Sequence, residues 1–331
     1  MIRPRIFAIA ACAAASTVAA LVDCGGDSVV TDAGADAPSA PDTGVADTGP
    51  GADSGADTAP ADSGADTNPA ACDRMKNFAT PTPVKLQNNA NPIVAQGFRV
   101  RGGIAYFQPQ STNKVQQGAY ASATVSSPVD AFTPIFVAGF DVSADGLTFT
   151  ESAGLAIARA TRGATNVPFG AASIIGVTLP PLDASIQVWN QVSGTGATIY
   201  FARAENSQGA FAVDIFRATD VDAGAYATTN QTTLHGGIAY VGRPVPLDET
   251  RMYLTGWSGT APIYQRLFVS TRASAQQPWA TPVAVTVDGL TPQTGDQIVP
   301  LDVSADDCVL WYGIGTGVDG PYSVYEARRP K

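Results

Sequence analysis

The apolar residues of this chain fall into short runs that repeat one grammar. A turn leads into an apolar run ending near an aromatic, a loop follows, and a second run ends in Arg or Thr. Leu147–Phe149 with Leu155–Arg159 is one instance, and Ala197–Phe201 with Asp214–Arg217 is another. The pattern returns as Arg251–Leu254 with Leu267–Arg272 and as Val309–Tyr312 with Val324–Arg328, while Ile104–Phe107 with Ala119–Ala121 is a poorer match. Equating Phe107, Phe149, Phe201, Leu254 and Trp311 gives steps of 42, 52, 53 and 57 residues. A unit of about 50 residues suits a four-stranded propeller blade. Runs such as Thr198–Ala202 do not alternate apolar with polar, as a sandwich strand with one wet face would. A strand covered on both faces by neighbouring blades needs no alternation. The expected fold is therefore all-β, a five-bladed β-propeller of four-stranded antiparallel blades.

Asp141-Val142-Ser143-Ala144-Asp145 recurs letter for letter as Asp302–Asp306, 161 residues later. In the first copy Asp145-Gly146 is a strong hairpin-turn dipeptide. The Ser143–Gly146 turn, the aromatic-rich strand after it and the later strand ending in Arg resemble the TolB-like propeller repeat, whose usual turn is Ser-Pro-Asp-Gly. The resemblance covers about residues 78–331 and is clearest over 141–162 and 302–329; the middle units lack the turn. It implies a propeller, and the peptidases of that family carry a separate hydrolase domain for which no residues remain here. The sialidase Asp-box has one more residue between Asp and Gly, so its meaning is not carried over. TolB-like blades often open their outer strand with an aromatic and a Pro, places filled by Trp279–Val283 and Phe132–Ile135. The last unit reaches Lys331 without such a strand, and Phe78–Pro81 leading into Pro83–Leu86 has the missing character. Residues 82–88 are thus expected to close the last blade from the N-terminal side and leave no open edge.

Composition supports strands and turns: 331 residues include 33 Gly and 24 Pro, and only 15% are charged. The formal charge of −10 is uneven, since residues 25–71 hold nine Asp and no Lys or Arg. The remainder is nearly neutral and has no basic patch, which excludes a nucleic-acid partner. Arg3 and Arg5 precede an uncharged, Ala-rich stretch from Ile6 to Val22, which reads as a signal peptide over residues 1–24. Leu21-Val22-Asp23-Cys24 resembles the bacterial lipobox. That resemblance implies acylation of Cys24 and an outer-membrane or cell-surface lipoprotein. Asp23 departs from the small neutral residue preferred there, and plain secretion is the alternative. Residues 25–71 cycle through Ala-Asp-Thr-Gly and Ala-Asp-Ser-Gly without an aromatic, the composition of a disordered linker. Their Asp spacing does not reproduce an EF-hand loop, which argues against a calcium role. The propeller domain is expected over 72–331.

Candidate chemistry is sparse. Cys72 precedes the closing strand and Cys308 lies in the unit it would join, so an exported chain is expected to pair them, with two free thiols as the alternative. His235 is the one histidine, so a His-rich metal site is excluded, and before Gly236-Gly237 it reads as a loop residue. Gly256-Trp257-Ser258-Gly259 lacks the Gly-x-Ser-x-Gly spacing of a nucleophile elbow. Asp141, Asp183, Asp248 and Asp302 precede or lie on expected inner strands. A pair of them facing across the channel would suit glycoside hydrolysis, whereas Asp in a tight turn more often braces the backbone. The main expectation is a monomeric, non-catalytic scaffold without cofactor that binds a protein or glycan and meets the membrane through its lipid anchor. The alternative is a secreted five-bladed glycoside hydrolase using channel carboxylates.

Overall fold

The computed structural model describes residues 72–331 except 135–138, 154–155, 178–190, 195, 208–209, 223–224, 237, 239, 258–264 and 317–319. Cys24 and the expected signal and linker lie outside the described residues. The described residues belong to one compact unit, Ala65–Lys331.

The unit is a β-propeller of curled sheets, and its only described helix is a 3-10 turn at Thr232–His235. Two short strands come first, β1 (Thr82–Pro83) and β2 (Lys85–Leu86). A first antiparallel run follows: β3 (Val94–Arg101), β4 (Ile104–Pro109), β5 (Val115–Ala121) and β6 (Thr124–Phe132). The second is β7 (Phe140–Val142), β8 (Thr148–Ala153), β9 (Ala156–Thr161) and β10 (Ser173–Val177). The third is β11 (Gln191–Ser193), β12 (Thr198–Ser207), β13 (Ala210–Asp222) and β14 (Ala225–Asn230). The fourth is β15 (Tyr240–Pro246), β16 (Arg251–Trp257), β17 (Arg266–Thr271) and β18 (Val283–Ala284). The fifth is β19 (Gln297–Val303), β20 (Val309–Gly315) and β21 (Tyr322–Arg328). The leading strands β3, β7, β11, β15 and β19 lie side by side in that order, and β19 returns to β3.

Neighbouring runs also join at some edges. β21 pairs briefly with β3, and β10 runs parallel to β14, so the strands group into sheets of nine, eight and four. Strands such as β16 and β20 are buried almost end to end on both faces, which is why their sequences do not alternate.

The repeated pentapeptide builds the same turn twice. Ser143 Oγ accepts from the Thr148 amide at 2.8 Å, and Asp145 Oδ1 accepts from the Leu147 amide at 2.9 Å. Ser304 and Asp306 accept from Val309 and Cys308 at 2.8 and 3.1 Å. The turn needs a left-handed residue, Gly146 at φ 73° in one copy and Asp307 at φ 61° in the other. Asp307 is wholly buried, and its carboxylate accepts from Tyr253 Oη at 2.6 Å and pairs with Arg251 and Arg329.

A single backbone bond marks equivalent positions in all five runs. It joins the amides of Tyr120, Arg162, Asp220, Arg272 and Arg329 to the carbonyls of Gly103, Leu147, Ala197, Thr250 and Cys308. At three of these positions the side chain clasps the preceding run. Arg162, Arg272 and Arg329 donate to the hydroxyls of Tyr106, Tyr200 and Tyr253 at 2.6, 2.8 and 3.0 Å. Each guanidinium also stacks on an aromatic of its own run, 4.2 Å from Phe169, 4.2 Å from Trp279 and 4.0 Å from Phe78. Burial pushes the Tyr200 and Tyr253 hydroxyls up to about 12, so both stay protonated at neutral pH. Between the fifth run and the first, Trp311 Nε1 donates to Tyr120 Oη at 2.7 Å. Between the second and third, the equivalent positions are Thr150 and Asp220, and the buried Thr150 hydroxyl has no hydrogen-bond partner.

Closure uses the N-terminal segment, with a difference from the expected strand over 82–88. β1 pairs with β21, Thr82 opposite Glu326, and Phe78 serves the fifth run as Trp279 serves the fourth. The Val84 amide still donates to the Val324 carbonyl at 2.9 Å, after which β2 runs parallel to β6. Phe132 ends its outer strand rather than opening it, and packs 4.5 Å from Phe149 and 6.2 Å from Phe169. Strand register also revises the equated aromatics: Trp311 lies opposite Asp302 as Thr150 lies opposite Asp141, so Trp311 matches Thr150 and not Phe149. Cys72 and Cys308 form a disulfide with Cα atoms 5.6 Å apart.

The bridge spans 236 residues of sequence. Replacing both cysteines by Ser should lower unfolding free energy by about 3–5 kcal/mol through the freed loop. Urea unfolding of the oxidised parent and the double variant measures this; coincident midpoints would contradict it.

Candidate functional site

Four of the five leading strands meet in one buried charge network. Arg99 and Arg101 stand on β3 two residues apart, so both project from one face of the strand. Asp141 comes from β7 and Asp302 from β19, at matching places in the repeated pentapeptide. Arg101 Nη2 lies 2.8 Å from Asp141 Oδ1 and Nη1 lies 2.6 Å from Asp302 Oδ2. One guanidinium thus separates two carboxylates. Arg99 Nε reaches Asp141 Oδ1 at 3.0 Å, and its terminal nitrogens reach Ser193 Oγ on β11 at 3.3 Å and the Leu301 carbonyl on β19.

Backbone amides complete the shell. Asp141 accepts from Val142 at 2.8 Å and from Gly194 at 2.6 Å, and Asp302 Oδ2 accepts from Val100 at 2.6 Å. Burial opposes ionisation of Asp141. Arg101, Arg99 and the Gly194 and Val142 amides more than offset it and hold the carboxyl below the usual carboxylate range. For Arg101 burial works against the charge too, and Asp302 and Asp141 outweigh it and raise its pKa. Beside the network lies a cavity of about 20 Å³ bordered by Gly97, Arg99, Phe140, Arg243, Pro300 and Leu301. That is room for about one water and too little for a sugar ring.

The other expected residues do not join this centre. Asp183 lies outside the described residues. Asp248 sits in the turn before β16, where burial opposes its charge but bonds from Thr250 and Arg251 hold its pKa below normal. It braces a turn. His235 ends the 3-10 turn with Nε2 2.9 Å from Asp214 Oδ1, both half-buried. Gly256 and Trp257 end β16 as expected of a strand terminus, and Ser258 is outside the described residues. Among the described residues no group of three His, Cys, Asp or Glu could hold a metal, and no helix is long and apolar enough to cross a membrane. Arg99, Arg101, Ser193 and Gly194 were not singled out from the sequence. The readable sign was Phe98-Arg99-Val100-Arg101, two cations on one face of a strand whose other residues are uncharged.

No family model matches the chain, and no curated protein matches it. Solved structures do resemble it. An α-L-arabinofuranosidase from Podospora anserina is 12% identical with a TM-score of 0.42, over 77% of this chain and 97% of that one. An exo-β-1,3-galactanase from Clostridium thermocellum is 12% identical with a TM-score of 0.43, over 76% and 62%. The catalytic domain of an α-L-arabinofuranosidase from Coprinopsis cinerea is 11% identical with a TM-score of 0.43, over 76% and 96%. A likeness with TM-scores below 0.5 carries no argument about what this chain does.

Two expectations are corrected by these findings. Membership of the TolB-like family fails, because no family model matches and the similar structures reported are glycoside hydrolases. The physical reason is that the Ser-x-Asp-Gly signature is local turn chemistry, two side chains capping hairpin amides, and any hairpin of that geometry selects it. The non-catalytic scaffold as the main reading is corrected as well: the solved structures reported above are glycoside hydrolases, and the hydrolase alternative is taken up below as a proposal.

Asp141 is more acidic folded than unfolded, so its stabilising contribution is present above the unfolded carboxyl range and lost as pH falls through its lower folded value. The melting temperature should therefore drop steeply below about pH 4. Asp141→Asn should be less stable than the parent at pH 7 and show a flatter acid limb. An unchanged acid limb in a melting series would contradict the assignment.

Proposed function

We propose that this chain is an exported five-bladed propeller that hydrolyses glycans with carboxylates of its leading strands. The observation that carries this is the pairing of Asp141 and Asp302 across one guanidinium. Two oxygens bound to terminal nitrogens of the same Arg stand no more than about 8 Å apart, within the span of paired glycosidase carboxylates. The five-bladed reading is supported by the closed circuit of leading strands and by β1 giving the fifth run its fourth strand.

The roles follow from the environments. Asp141, bound through both oxygens and held ionised, supplies fixed negative charge for a cationic transition state. Asp302 is bound through Oδ2, leaving Oδ1 to hand a proton to the leaving-group oxygen as the glycosidic bond breaks and to take one back from the water that attacks the sugar. Arg101 fixes their separation. The adjoining cavity is too small for a sugar ring, so this reading requires the chain near Arg99 and Arg243 to open for substrate. This reading further takes residues 1–24 as an export signal, 25–71 as a tether with Cys24 as its lipid attachment, and 72–331 as a monomeric domain.

Incubating the purified domain with a panel of plant and bacterial polysaccharides and measuring new reducing ends tests the reading. Asp302→Asn should reduce release by at least about a hundredfold while circular dichroism stays that of the parent. No release from any polysaccharide, or equal release by a folded Asp302→Asn protein, would overturn it.

A further inference from the structure

Away from the leading strands, the outer part of the third run and the loop after β17 enclose a groove of about 310 Å³. This is the lower end of the size range of small-ligand sites. Its edge holds two guanidiniums, Arg217 from β13 and Arg272 just after β17. Both face one acid: Arg272 Nη2 is 2.6 Å and Arg217 Nη2 is 3.1 Å from Glu249 Oε2. Two cations against one anion leave one positive charge in excess.

The two arginines are differently committed. Arg272 is buried, stacked on Trp279 and bonded to Tyr200, which makes it part of the clasp between runs. Arg217 is partly exposed, and its buried Nε has no acceptor. The equivalent place in the first run shows what closure would look like. Gln117, three residues before Tyr120 as Arg217 is before Asp220, donates to the Thr165 carbonyl at 2.8 Å and accepts from Arg162 at 2.6 Å. There the side chain is consumed by the loop. In the third run a cation replaces it, and the groove remains.

The rest of the lining is uncharged and hydrogen-bonding. Asn230, Thr232, Gln276 and Gln277 present exposed amides and a hydroxyl, the groups that meet sugar hydroxyls. We propose that this groove binds a carboxylate-bearing sugar of an acidic glycan, with the carboxylate on Arg217 and the ring hydroxyls on the amides. One excess charge matches a single carboxylate, and a guanidinium receives it through two parallel bonds. The site is a binding site, so it does not rest on hydrolysis at Asp141 and Asp302 and survives if that reading fails.

Calorimetric titration of the whole chain with trigalacturonate, its methyl ester and sodium sulfate at low salt tests the proposal. Trigalacturonate should bind, and the methyl ester and Arg217→Gln should each weaken binding by about tenfold or more. Glu249→Gln, which frees both guanidiniums, should tighten it several-fold. The proposal is overturned if trigalacturonate does not bind, if the methyl ester binds equally, if Arg217→Gln changes nothing while melting like the parent, or if sulfate competes with equal affinity.

Discussion

Withdrawing most of the Arg101 guanidinium from water is the constraint around which the centre of this molecule is organised. A cation out of water is tolerable only with opposite charge and filled hydrogen bonds. Asp141 and Asp302 supply the charge from two other strands, and Arg99 extends the network to β11. Each strand in the knot therefore has a partner two places or more away in the chain. Removing Asp302 or Arg101 leaves a buried charge short of a partner, at a cost of about 3–5 kcal/mol. The same arrangement that holds the strands sets two carboxylates a fixed distance apart, so scaffold and proposed chemistry share residues.

Further out, the runs are joined by a second device that varies from junction to junction. Three junctions use an Arg laid on an aromatic and bonded to a Tyr of the preceding run. The junction between the fifth and first runs substitutes Trp311 and Tyr120. The junction between the second and third has Thr150, whose hydroxyl is buried without a partner. An unsatisfied buried hydroxyl costs about 1–3 kcal/mol, and this junction is held instead by the parallel pairing of β10 with β14 and by Arg159 donating to Tyr226 Oη at 2.7 Å.

Much of this was legible in the sequence because it was written locally. The repeated pentapeptide carried the turn and, in its first residue, both central acids. The aromatic-Pro segment at Phe78 announced the closing strand, and the position of Cys308 announced its partner. What was not legible depends on contacts between distant segments. Arg99 and Arg101 look like the polar half of an ordinary strand until β7 and β19 are brought to them. The clasp arginines stood in view as strand endings, but Arg159 and Arg328 were in the notice where Arg162 and Arg329 do the work. The TolB-like reading failed for a related reason, since a turn motif reports a hairpin and not an ancestry or an activity.

The central claim is that Arg101 and Asp302 stabilise the fold through each other. A double-mutant cycle with Arg101→Met, Asp302→Leu and the pair, read by urea unfolding at pH 7, measures that coupling directly. The account predicts a coupling of about 2 kcal/mol or more, with the pair less damaging than the sum of the singles. Additivity within about 0.5 kcal/mol would contradict it.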